Sequence, residues 1–138
     1  MPRFHYLAMA MSSLTALAAC ESEVERQADA TGDRTEQQAE RSAANAGTAS
    51  AAFGLTETQL LEADLVSVDG TDLGDVAQIR RDADGSVDGL LVELENTDPD
   101  RYVLIPVEGL STQVNGKDTD LQTSLTAAQL EAMPDAIR

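Results

Sequence analysis

Hydrophobic positions divide the chain into two regimes. Between Glu21 and Ala52 the only large aliphatic side chain is Val24, whereas from Phe53 onward apolar residues recur between turn signals. The clearest stretch is Val87 to Glu95. There Leu90, Val92 and Leu94 fall on one side and Leu91, Glu93 and Glu95 on the other, the period of two expected of a half-buried strand. The same reading predicts strands at Leu65–Val68, Leu73–Arg80, Tyr102–Ile105, Leu110–Val114 and Leu121–Leu125. Asp69-Gly70, Asp82 to Ser86, Thr97 to Asp100 and Asn115-Gly116 supply the turns between them. Asn115-Gly116 is expected at the centre of a hairpin turn in which both residues take positive φ. Two capping boxes, Thr56 with Gln59 and Thr126 with Gln129, predict short helices through Leu60–Leu61 and through Leu130–Met133, the second stopped by Pro134.

Six short strands joined by hairpins predict a mainly β domain: a small six-stranded barrel with short flanking helices, closed by pairing between near neighbours. About 85 residues suffice for one small core. The expected organisation is a leader over 1–19, a tether over 20–52 and the domain over 53–138. In the tether, Glu, Gln, Ala, Arg and Ser cannot bury enough surface to offset ordering entropy, so it is expected to be disordered. Ala, Glu, Gln and Arg are also good helix formers, and the rival is a charged single helix through Ala28–Ala44 with no apolar face to dock.

The first residues read as a secretory signal peptide. Arg3 precedes an apolar stretch from Leu7 to Ala19 that falls short of the ~20 residues a spanning helix needs. Leu17-Ala18-Ala19-Cys20 resembles the lipobox of bacterial lipoproteins. That resemblance implies diacylglyceryl attachment at the Cys20 thiol, cleavage before it, and acyl chains holding the protein to the periplasmic side of a membrane. Glu21, where inner-membrane lipoproteins of enteric bacteria often carry Asp, favours the outer membrane. Cys20 is the only cysteine, so no intrachain disulfide is available and acylation would remove an oxidisable thiol.

Gly70-Thr71-Asp72-Leu73-Gly74-Asp75-Val76, Asp82-Ala83-Asp84-Gly85-Ser86-Val87, Gly89-Leu90-Leu91-Val92, Val103-Leu104-Ile105-Pro106, and Leu125 with Leu130–Pro134 follow one another along the chain. In this order and spacing, the stretch from Leu65 to Pro134 resembles a PRC-barrel domain. The glycine usual before the first strand is replaced by Ala63 or Asp64. The resemblance implies a small β-barrel that docks to other macromolecules and carries no shared catalytic residues.

Candidate chemistry is sparse. His5 is the only histidine and departs with the leader, and the chain has no Trp. A mature chain without imidazole or free thiol lacks Ser-His-Asp and Cys-His machinery and zinc sites built on those ligands, so no enzyme and no cofactor is expected. Asp82, Asp84, Ser86 and Glu93 echo a calcium loop, with Asp88 as a further carboxylate. Val87 stands where that loop requires glycine, and the bland alternative is a hairpin turn. Asp82, Asp84 and Asp88 are therefore the candidate ligands of the alternative function, binding or sensing of divalent cations in the envelope.

Net charge is −16, and from Phe53 onward 18 Asp and Glu stand against 5 Lys and Arg. Phosphate recognition needs the opposite sign, which excludes nucleic acid and disfavours anionic headgroups. The leading expectation is a non-enzymatic envelope lipoprotein that binds an unidentified protein partner. Its candidate contact surface comprises Leu91, Glu93, Glu95 and Tyr102 on the outward faces of their strands. Against that, Leu91 could pack beneath the C-terminal helix through Leu130 and Met133.

Overall fold

A computed structural model describes residues 23–137 of the chain. The leader expected over 1–19 and Cys20, with the lipid attachment expected there, lie outside the described residues. Among the described residues no helix is long and apolar enough to cross a membrane.

The elements run α1 (Glu23–Ala46), β1 (Ser50–Ala52), β2 (Leu55–Thr56), α2 (Glu57–Leu61), β3 (Asp64–Ser67), β4 (Asp72–Arg81), β5 (Val87–Leu94) and β6 (Tyr102–Pro106). A 3-10 turn, Val107–Gly109, leads to β7 (Leu110–Asn115), β8 (Asp118–Thr123) and α3 (Ala127–Glu131). The fold is mainly β, and its main sheet has six strands in the order β6-β5-β4-β3-β8-β7. The six predicted strands correspond to β3–β8. Both capping boxes form: Thr56 and Thr126 each accept from the N3 backbone while Gln59 and Gln129 reach back.

Alternation sets the core. Leu90, Val92 and Leu94 of β5 meet Val103 and Ile105 of β6, Leu65 of β3 and Leu121 of β8, all buried in a single cluster that Leu60 of α2 and Leu130 of α3 join. One irregularity re-aims β4. Val76 pairs with Val92 and Gln78 with Leu91, leaving Ala77 as the extra residue of a bulge. Val76 and Ile79, three apart, thus both reach the inner cluster while Ala77 joins Leu91 on the outer face.

Three expectations need correction. The sheet is not held by neighbouring hairpins alone, because β3 and β8 pair in parallel, Leu65 against Leu121, and no ladder joins β6 to β7 among the described residues. The Asn115-Gly116 turn is displaced by one residue: Asn115 pairs with Asp118, and Gly116-Lys117 form the loop with positive φ at Gly116 alone. Among the described residues the turn with two positive φ values is Phe53-Gly54, which joins β1 to β2. Finally, within the tether expected over 20–52, Glu23–Ala46 forms the 24-residue helix α1, as in the rival reading of a helix through Ala28–Ala44 but docked. It lies against α2 and β4, with Gly32, Ala39 and Ala43 buried. Small residues make its docking face, so no stripe of large apolar residues announces it.

Candidate functional site

The register aligns carboxylates across the sheet. Asp64 of β3 stands opposite Asp75 of β4, Asp75 opposite Glu93 of β5, and Glu93 opposite Tyr102 of β6. In the other direction, Leu65 pairs with Leu121, so Asp64 neighbours Asp120, which in turn opposes Gln113 of β7. Four acidic residues thus form one transverse row, with strands ~4.8 Å apart. Like charges directly opposite destabilise a sheet, so the row costs the fold stability.

Electrostatics registers that cost. Partial burial raises the Asp64 carboxyl above the usual carboxylate range, and the charges of Asp72, Asp75 and Asp120 raise it further. Burial likewise raises Glu93, partly offset by the hydrogen bond it accepts from the Tyr102 hydroxyl at 3.0 Å, with Asp100, Glu36 and Asp75 adding repulsion. Tyr102 is driven well above the ordinary phenol range, first by burial and then by Glu93.

Helix α1 turns one end of the row into a groove. An open groove of about 520 Å³ runs between α1, α2 and the outer face of β4 and β5. Ala39, Ala43, Leu61, Val76 and Ala77 supply its apolar lining, and Glu36, Glu40, Glu62, Asp75 and Glu93 its carboxylates. No Lys or Arg lines it. The sheet orders the strand carboxylates through backbone pairing, and α1 adds Glu36 and Glu40 from consecutive turns.

The predicted contact residues fare differently. Glu93 is half-buried in the row, and Glu95 is exposed just past the end of β5. Leu91 and Tyr102 do point to the outer face but are not exposed: both are buried in a second cluster with Ala77, against which Ile137 packs. Leu91 does not lie under the C-terminal helix either, since Leu130 and Met133 belong to the inner cluster. The physical reason is coverage by α1, whose Gly32 leaves room for the Tyr102 hydroxyl; a Cβ there would sit 2.6 Å from it.

The calcium-loop echo is not assembled. Asp82 Oδ1 accepts the backbone N–H groups of Asp84 at 2.9 Å and Ser86 at 3.0 Å, which is the work of a hairpin turn. Asp88 pairs with Arg80 at 2.8 Å, and Glu93 is engaged by Tyr102. Among the described residues no three His, Cys, Asp or Glu gather to hold a metal ion.

Sequence reasoning missed Asp64, Asp75 and Asp120. The Asp64–Asp75 pairing could have been found by folding the chain about Asp69-Gly70; the place of Asp120 depends on the parallel β3–β8 pairing, which no local signal marks. Neither a protein-family model nor a curated protein matches the chain.

Proposed function

We propose that this protein is a non-enzymatic envelope lipoprotein, held to the periplasmic side of a membrane through acyl chains on Cys20, whose PRC-barrel-like domain binds a basic protein partner near the membrane. One observation carries the reading. A transverse row of four carboxylates costs stability, and it continues into a groove with an apolar floor, five acidic residues and no cation. Charge spread along a groove suits a basic segment of a protein. Such a segment lays aliphatic Lys or Arg stems on the floor and ammonium or guanidinium heads against the carboxylates. The arrangement suits a single metal ion poorly, because the carboxylates do not converge.

Binding of a fluorescent Lys- and Arg-rich peptide to the full chain in detergent micelles, followed by anisotropy, tests this. Affinity should fall steeply as salt rises, as expected for exposed charge pairs. Asp75→Asn with Glu93→Gln should weaken binding about tenfold, a loss of ~1.4 kcal/mol. Calcium binding in the millimolar range with no peptide binding would sink the proposal and favour the cation-sensing alternative.

A further inference from the structure

The two edges of the main sheet are finished differently. At β6 the C-terminal tail occupies the outer side: the Ala136 N–H donates to the Tyr102 carbonyl at 2.8 Å. Arg101 ties the same tail down, donating to the carbonyls of Glu131 at 2.7 Å and Met133 at 2.8 Å. At β7 no such cover exists among the described residues. Every residue from Ser111 to Asn115 is exposed, and Val114 is 76% exposed. The strand lacks the devices that protect an edge: it has no proline, no charged side chain and no bulge.

Register identifies which backbone groups are free. The two-residue loop makes Asn115 and Asp118 a hydrogen-bonded pair, so Gln113 and Ser111 also bond to β8 while Thr112 and Val114 present their N–H and C=O outward. No other hydrogen bond reaches those outward groups among the described residues. The Leu110 N–H is taken by Val107, but its carbonyl faces the same edge.

We propose that β7 pairs antiparallel with β7 of a second copy of this chain about a two-fold axis at Thr112. Three features single out a second copy. Residues 110–117 contain no Asp or Glu and include Lys117, so here two strongly acidic molecules can approach without opposing carboxylates. The strand is self-complementary: Thr112 lies opposite its own copy and Val114 opposite Leu110, covering the exposed valine on both sides. About four hydrogen bonds then close, two between the Thr112 residues and one from each Val114 N–H to a Leu110 carbonyl. Because a two-fold relating antiparallel neighbours preserves the faces of a sheet, both acidic rows lie on one side of the joined sheet. A strand pair this short falls below the ~1,200 Å² of a standard interface, so pairing is reversible and grows with local concentration.

Thr112→Cys in the full chain, oxidised in membranes or detergent micelles and run without reductant, tests the pairing. A band at twice the monomer mass is expected from Thr112→Cys and not from Gln113→Cys, which the register does not place opposite itself. Sedimentation of the wild-type chain should show a dimer that increases with salt, as screening relieves repulsion between two chains of net charge −16. Thr112→Pro should abolish that dimer without unfolding the domain, since it removes an outward N–H and no β8 bond. No doubled band, equal bands from both cysteine variants, or a Thr112→Cys adduct of any mass other than two copies would overturn the proposal. Peptide binding by the acidic row should weaken with salt while dimerisation strengthens, so the two readings fail separately.

Discussion

The two faces of β4 and β5 are built from adjacent residues and held by different means. On the inner face Val76, Leu90, Val92 and Leu94 join a cluster drawn from all six strands of the main sheet and two helices. The outer face buries Ala77, Leu91 and Tyr102 under a helix whose own buried residues are small and whose carboxylates face those of the sheet. Inside, apolar area alone determines the arrangement. Outside, a modest apolar patch holds α1 against like-charge repulsion between Glu36 and Glu93. Two faces of one sheet can therefore differ widely in stability, the outer opening locally while the inner stays folded.

Gly74→Ala should have the largest effect, because it strikes the frame both faces share. Gly74 sits at φ +152, and a Cβ there would lie 2.0 Å from the Glu93 carbonyl oxygen, so β4 and β5 would have to part. A loss of at least ~3 kcal/mol is expected, read as a collapse of the cooperative denaturant transition. Stability within ~0.5 kcal/mol of wild type would mean the strands are less closely paired than described.

Val92→Ala and Leu91→Asp separate the faces. Val92→Ala empties part of the inner cluster and should cost about 1–3 kcal/mol of global stability, read as faster amide exchange in β5 and β6 with little change in α1. Leu91→Asp buries a charge beside Glu93, yet its cost is capped at the docking energy of α1, because the helix can leave and let the carboxylate hydrate. A loss of about 1–2 kcal/mol is expected, with hydrogen exchange accelerating across Glu23–Ala46 while β5 and β6 stay protected. Equal acceleration in β5 would show that the two faces form one cooperative unit.

Titration should produce the smallest effect. Glu93 is raised in the folded state above its ordinary value of 4.5, and Asp64 above 3.8. Each therefore contributes stability that is fully present below the unfolded value and lost as pH rises through the folded one. Asp69 has the opposite sign: hydrogen bonds from Ser67 and Thr71 lower it, so its contribution is lost on acidification through the folded value. As pH falls from neutral toward the raised folded value of Glu93, α1 should become better protected as Glu93 binds a proton. Glu93→Gln should flatten that dependence while leaving the inner face unchanged. A helix that loosens on mild acidification would contradict the assignment of repulsion to the outer face.

Much of this was legible from local chemistry. The strand at Val87–Leu94 and its inward set Leu90, Val92 and Leu94 follow from side chains alternating across a pleated backbone. The helices at Thr56 and Thr126 follow from cap residues that bond their own first turn. The outer-face orientation of Leu91 and Tyr102 was also readable, but not their burial, because alternation reports direction and not coverage. The docking of α1 escaped notice since Gly32, Ala39 and Ala43 present almost no hydrophobic contrast.

What the sequence determined by itself was thus whatever depends on neighbours along the chain: strand periodicity, caps, turns and net charge. Tertiary structure alone decided the parallel pairing of β3 with β8, the row from Asp120 through Asp64 and Asp75 to Glu93, the cover over the outer face, and which sheet edge remains open. The physical reason is that local order is set by short-range sterics and hydrogen bonding. The meeting of strands more than fifty residues apart depends on how the whole chain closes around one core.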